Sequence, residues 1–522
     1  MDLLLNKWLR KRRLVAGAIF ATMLMLHSSA FGHARLVRSQ PAANSTIKQA
    51  PQIVELWFSE DLEPTMSTII VTDQNGKHVD KNNATLAEGN KKLQIDLEEL
   101  GSGTYTVEWK ALATDQHTMK GKFTFNVALE KALNTTTATP SASQTTKQPA
   151  QNSSASPQAT ESTEQSGSTW MMSIVRWLQY LAMMSLVGGF TFRLLVLGPA
   201  LRADGGGSVI VARKSNALVL SQRRILLLSW LSAVLLILTT LIALVQQASA
   251  VFDKTVAESL SPSILGQVLT KTGYGRAWFL QIATAFVLVI ILFLLGRSLK
   301  QAPAKEDRTL WWTGLIVGVV LLVAPSWTGH AAAAIKDWRL AVVTDWLHLV
   351  AGAFWVGGLF HLAFTARPVL QAFDKTKRTG TLHQIVRLFT RVAIPTVVIL
   401  VLAGLYNSWV HVESFGALWS TAYGRTLLLK LVLVVLMLLL GGLNNFHFGK
   451  KAARLSESEE GEITAKEHSN LEQGFSRSVI VEAALGVAVL LVTAILVFLT
   501  PARRHPLMTS SKAETTLVQD RR

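Results

Sequence analysis

The chain has 522 residues, of which 49% are hydrophobic and 16% charged, with no cysteine and a formal net charge of +17. A charged fraction so far below the roughly 25% of soluble domains excludes a string of ordinary soluble units. The missing cysteines exclude disulfides, thiolate nucleophiles, iron–sulfur clusters and cysteine zinc sites. The positive charge gathers between apolar runs, which fits membrane topology and argues against a nucleic-acid partner.

Lys7, Arg10, Lys11, Arg12 and Arg13 precede the apolar run Leu14–Leu26, which is shorter than the ~20 residues that span a bilayer. Small residues at Ala30 and Gly32 follow, so residues 1–32 read as a cleaved signal peptide and the mature chain begins at His33. The domain over 33–129 is therefore expected outside the cytoplasm. Its apolar residues recur every second position, as in Val54, Leu56 and Phe58, in Tyr105, Val107 and Trp109, and in Phe123, Phe125 and Val127. Turn clusters such as Asp73–Gly76 and Gly101–Gly103 separate the runs, which predicts an all-β sandwich. Residues 130–169 are rich in Ser, Thr, Gln and Pro and bury too little apolar surface to fold, so they read as a disordered tether. About 35 flexible residues reach roughly 30 Å.

From 170 to 500 the pattern predicts an all-α membrane domain of eight spans, near 170–198, 225–247, 277–296, 310–327, 342–365, 391–410, 425–443 and 478–499. Lys and Arg concentrate in the loops after the odd-numbered spans, which places the amino end outside a cell membrane. The basic tail over 501–522 falls on the outside by this count and is the discordant segment. Trp177-Leu178 followed by Gly188-Gly189 recurs at the same spacing as Trp346-Leu347 followed by Gly357-Gly358. Thr272-Gly-Tyr-Gly-Arg276 recurs as Thr421-Ala-Tyr-Gly-Arg425. The domain thus reads as two parallel four-helix repeats about a pseudo-twofold along the membrane normal, with a site expected between them.

The strongest candidate metal site joins His33, Asp115 and His117. A mature His33 offers an α-amine and an imidazole nitrogen that chelate one ion, and Asp115 and His117, two apart in extended backbone, point to one face. That nitrogen and oxygen donor set suits Cu(II). The stretches His33–Ala42, Val54–Glu60, Gly103–Trp109 and Asp115-x-His117-x-x-x-Gly121 resemble the periplasmic copper-binding CopC family. Residues from about Phe389 through Tyr423-Gly-Arg425 and Lys430 to Glu482 resemble its membrane partner family CopD, and the fused arrangement is similar to copper-uptake proteins. The resemblance implies a cupredoxin- or immunoglobulin-like sandwich that binds Cu(II) through His33, Asp115 and His117. Met66 and Met119 are the only methionines in the sandwich, too few for a separate Met-rich Cu(I) site.

In the membrane domain Asp345 and His348 share a helix face near the outer end of the fifth span, and Arg176, Gln179 and Met183 hold the matching positions of the first. Arg176 is expected to pair with Asp345, leaving Met172, Met183 and His348 as ligands for copper, including Cu(I). His330 and His411 are expected at the same outer surface, and Glu482 deeper, at an exit or a proton step. The reading is copper acquisition, with Cu(II) captured outside and passed inward, by a protein that is not an enzyme. A copper reductase or an extracellular copper donor would be its partner beside the ion and the bilayer. Two rivals are copper binding for resistance or sensing without transport, and a cytochrome b-type haem protein pairing His348 with His411 and His361 with His447.

Overall fold

The period-two runs build the sandwich as the pattern predicts, because alternate residues of a strand face one side and here that side is the core. In the computed structural model, which describes residues 36–63, 65–114, 116, 118–129, 166–202, 208–301, 307–329, 338–373, 375–412, 414–456 and 462–499, one sheet has the order β1-β3-β6-β5 and the other β2-β8-β7-β4. The strands are β1 (Leu36–Gln40), β2 (Thr46–Ile47), β3 (Ile53–Phe58), β4 (Thr68–Thr72), β5 (Thr85–Ala87), β6 (Lys92–Asp96), β7 (Gly103–Leu112) and β8 (Thr118–Val127). Val54, Leu56 and Phe58 of β3 meet Tyr105, Val107 and Trp109 of β7 and Phe123, Phe125 and Val127 of β8 in one buried cluster. Gly121 is required beneath Trp109: a Cβ there would stand 2.5 Å from the indole.

The signal peptide, residues 130–165 of the tether and the tail lie outside the described residues, and so do His33, Asp115, His117 and His330; the last tether positions, 166–169, instead begin the helix Ser166–Thr191. Gln116, between two of them, is described, and it departs from the expected extended backbone. It has φ 74° in the connection between β7 and β8. A hairpin must reverse direction within a few residues, and left-handed backbone does so. Gln116, the described middle residue of the motif, therefore takes a turn conformation.

Eight helices are long and apolar enough to cross a membrane: span 1 Trp170–Leu201, span 2 Asn216–Phe252, span 3 Gly273–Gln301, span 4 Arg308–Trp327, span 5 Trp338–Gln371, span 6 Arg378–His411, span 7 Ala422–Leu455 and span 8 Glu467–Val497. Each contains its predicted apolar segment almost whole, and most run further at one or both ends, since the helical hydrogen-bond ladder does not stop where the apolar run does.

The duplication is visible as exchanged contacts. Trp177 of span 1 donates its indole N–H to the Val487 carbonyl of span 8 at 3.1 Å, and its counterpart Trp346 of span 5 donates to the Val319 carbonyl of span 4 at 3.0 Å. Each repeat's first helix thus clasps the last helix of the other. Between them the two Gly-Gly pairs cross: a Cβ on Gly188 would lie 2.1 Å from the Gly357 carbonyl carbon, and a Cβ on Gly357 would lie 1.9 Å from the Met184 oxygen. Glycine lets two backbones approach to this distance inside a bilayer. The second repeated motif is a helix start. The Thr272 and Thr421 hydroxyls accept from the N–H groups of Gly275 and Gly424, capping spans 3 and 7 in the same way.

Candidate metal-transfer site

The sandwich rests on the ends of spans 2 and 3, and Gln116, between the Asp115 and His117 positions, is part of the contact. Gln247 of span 2 donates its side-chain N–H to the Gln116 carbonyl at 3.1 Å. The Gly273 N–H, at the start of span 3, donates to the Glu63 carboxylate at 3.1 Å, and the Thr65 hydroxyl donates to the Lys271 carbonyl at 2.7 Å. Gly273 also leaves room for that carboxylate, since a Cβ would lie 2.8 Å from it. Gln116 Oε1 and Thr118 Oγ1, on either side of the His117 position, are buried without a hydrogen-bond partner among the described residues.

A fourth contact is an ion pair, Lys120 to Asp253 at 3.0 Å. Span 2 ends at Phe252, and Asp253 takes φ 54°, the left-handed conformation that closes many helices and here turns its carboxylate toward the sandwich. The Lys120 ammonium, with Lys110 adding to it, holds the Asp253 carboxyl below its ordinary value. A depressed carboxylate contributes stability that is complete above its ordinary value near 3.9 and is lost as pH falls through the lower, folded one. Docking should therefore be insensitive to pH through this pair between about 5 and 8 but weakened by salt. Lys120→Ala should shift the docked population by no more than about fivefold, ~1 kcal/mol, because the pair is largely exposed. Spin-label distances between sandwich and loop, introduced as cysteines into a chain that has none, measure it.

Beneath the contact lies a polar cavity of about 20 Å³ whose lining includes Arg176, Gln179, Thr240, Tyr274, Gln281 and Thr328, room for about one water. Gln281 donates to the Thr240 hydroxyl at 2.6 Å. Arg176 and Gln179 do line a site, but its walls come from spans 1 to 4, within the first repeat and not between the two.

The second repeat presents its polar groups separately. Asp345 accepts from the Ser326 hydroxyl at 2.8 Å. Arg176 and Asp345 both lie within electrostatic reach of the buried Tyr180, and Lys430 of span 7 within reach of Asp345. The His348 ring faces span 6 at Gly404, where a Cβ would lie 3.4 Å away, and its Nδ1 is buried without a hydrogen-bond partner among the described residues. Met183 is fully buried and Met172 half-buried. His411 Nδ1 lies 2.6 Å from the Asn407 carbonyl of its own helix. Glu482 is 2% exposed and accepts from the Asn444 amide at 2.7 Å. No three His, Asp or Glu side chains converge as a metal cage among the described residues. The histidines of the haem scheme have local engagements: His361 Nε2 donates to the Ser185 carbonyl, and His447 packs edge-on to Phe448.

Sequence reasoning passed over Lys430, Ser326, Gln247 and Gln281. Lys430 had a signal, a lone ammonium in the run Leu427–Leu440, where an ionisable group marks function by default. The other three are common polar residues whose spacing carries none.

A sandwich seated on a duplicated bundle of eight long apolar helices defines a multi-pass membrane protein with an attached extramembrane domain. The CopC domain profile matches residues 36–128, the profile of the copper resistance protein D-like N-terminal domain matches 166–337, and that of copper resistance protein D matches 383–496. The chain belongs to the copper resistance family that joins CopC and CopD domains in one polypeptide, and its function concerns copper. It is 28% identical over 480 residues, 91% of this chain and 75% of the relative, to the copper transport protein CutJ of Bacillus subtilis (strain 168). It is 37% identical over 112 residues, 21% of this chain and 90% of the relative, to protein YobA of Escherichia coli (strain K12). The crystal structure of CopC from Methylosinus trichosporium OB3b is 32% identical, with a TM-score of 0.18, covering 20% of this chain and 100% of that one.

Proposed function

We propose that the chain acquires copper at the cell membrane. The sandwich, outside the cell, captures Cu(II) through His33, Asp115 and His117 and hands copper to the membrane domain, which carries it inward. The observation that carries this reading is the bond from Gln247 to the Gln116 carbonyl, because Gln116 stands between two of the ligand positions. A capture site used only for storage has no need to face the bundle. The CutJ relative, named a copper transport protein, supports the same direction of thought.

Arg176 makes the cavity beneath the contact a poor resting place for a cation. Asp345 and His348, on the other repeat, supply the attractive groups, with Met172, Met183, His330 and His411 as further candidate ligands and Glu482 as the exit or proton group. Copper is cargo here, and an external donor or reductase would set the form in which it arrives.

Uptake of radioactive copper by the full chain in liposomes tests the reading. His117→Ala should weaken Cu(II) binding by at least about tenfold and slow uptake with it. Gln247→Leu should leave Cu(II) affinity unchanged and slow uptake several-fold, since it touches the handover and not the capture. Absence of uptake by the unmodified chain would leave binding for resistance or sensing as the function.

A further inference from the structure

His361 of span 5 was read from the sequence only as a haem ligand, yet its surroundings describe a different site. The residue is 0% exposed, one turn past the Gly357 crossing. Its Nε2 lies 2.9 Å from the Ser185 carbonyl of span 1. A carbonyl only accepts, so Nε2 carries the hydrogen, and the neutral ring then presents Nδ1 as a bare lone pair. That Nδ1 has no partner among the described residues, and neither has the Ser185 hydroxyl. Gly189 makes the space: a Cβ there would lie 2.9 Å from the ring. An imidazole present only to fill volume would leave a buried acceptor unsatisfied at a cost that an apolar side chain avoids.

Three further features mark the place. An imidazole whose one nitrogen is tied to a backbone carbonyl is oriented for metal at the other. The turn just before it, Ala353–Gly357, is π-helical, an irregularity frequent at functional sites. It lies where the two repeats cross, the usual position of a transport site in duplicated membrane proteins.

We propose that His361 Nδ1 is a ligand for Cu(I) at the crossing of spans 1 and 5, the next donor inward from the Met184 sulfur of the facing span. Met184 is 1% exposed, and its sulfur lies 3.9 Å from where a Cβ on Gly352 would stand, nine residues before His361 in span 5. Imidazole and thioether suit a soft monovalent ion. The cost of burying an ion rises with the square of its charge, so Cu(I) meets about a quarter of the penalty of Cu(II) in this dry crossing. The site takes copper that arrives already reduced.

The proposal rests on the reading that copper passes through the membrane domain, and the test separates the two. Glutamine places an N–H near the imidazole Nε2 and no lone pair at Nδ1, so His361→Gln keeps the bond to Ser185 and removes the ligand. Full-length protein in liposomes is loaded with Cu(I), and bound copper, uptake and thermal unfolding are measured together. His361→Gln should bind one Cu(I) fewer per chain and take up copper at least tenfold more slowly, with its unfolding temperature nearly unchanged. Full binding and uptake in that variant would overturn the proposal while leaving transport standing. If the unmodified chain transports nothing but His361→Gln still loses one Cu(I), the transport reading fails and the site stands. Should the variant not fold, X-ray absorption of Cu(I) held by the His117→Ala chain decides: imidazole nitrogen in the shell supports the site, and a sulfur-only shell overturns it.

Discussion

Gly357→Ala is expected to abolish folded protein. The added carbon would stand 1.9 Å from the Met184 oxygen and 2.8 Å from its carbonyl carbon. Both are backbone atoms, so no rotamer change relieves the overlap and spans 1 and 5 must separate along their length. Overpacking a rigid core commonly costs 1–3 kcal/mol, roughly, and more where backbone has to move. Separation here also breaks the clasp made by Trp177 and Trp346 and unseats the His361 bond to Ser185. Against a total stability on the order of 5–15 kcal/mol, that combination is enough to lose the bundle. Size-exclusion profiles and thermal unfolding of detergent-extracted protein measure it. Gly296→Ala is the control, because nothing lies within 4 Å of its Cβ position and alanine favours a helix by up to about 1 kcal/mol. A Gly357→Ala protein that elutes and melts like the unmodified chain would mean that the repeats do not cross here.

The Gly-Gly pairs show what the sequence can and cannot carry. Their recurrence at one spacing announced the duplication, and strand period announced the sandwich, because both are local patterns along the chain. That the two pairs touch each other, and that each repeated Trp reaches into the opposite repeat, is set by the pseudo-twofold and leaves no trace in spacing. Asp345 and His348 were legible as polar groups in an apolar run. The docking face was not, since Glu63, Thr65, Gln116 and Gln247 are ordinary polar residues until the fold joins positions some two hundred apart, as it does for Thr65 and Lys271. His361 was visible only as a histidine in an apolar run; that its Nδ1 has no partner among the described residues depends on Gly189 and Ser185 of another helix. The left-handed backbone at Gln116 was not legible either, for a hairpin needs its reversal somewhere and spacing does not say where.

Asp345→Leu should destabilise the membrane domain by more than about 2 kcal/mol, because a half-buried carboxylate that accepts a hydrogen bond and lies near cations is withdrawn from the bundle. Asp345 lies within electrostatic reach of Lys430, and shares the neighbourhood of Tyr180 with Arg176. Removing the carboxylate leaves both cations in an apolar bundle, where each is expensive. Two variants separate the charge from the hydrogen bond. Ser326→Ala removes only the donor at 2.8 Å, which to a charged acceptor is worth about 1.5–3 kcal/mol. Asp345→Asn keeps an acceptor for Ser326 but cancels the charge, so it should fall nearer to Asp345→Leu than to Ser326→Ala. The double variant Asp345→Leu with Lys430→Leu should recover part of the loss, because it withdraws a cation together with its partner, and a thermodynamic cycle over the four proteins gives the coupling directly. Unfolding temperatures in one detergent at fixed salt suffice. If Asp345→Asn is as stable as the unmodified chain, the carboxylate is not balancing charge, and its attraction for a passing copper ion loses its basis as well. If instead Asp345→Asn is destabilised and the double variant restores folding without restoring uptake, the same carboxylate holds the bundle together and draws copper toward His348.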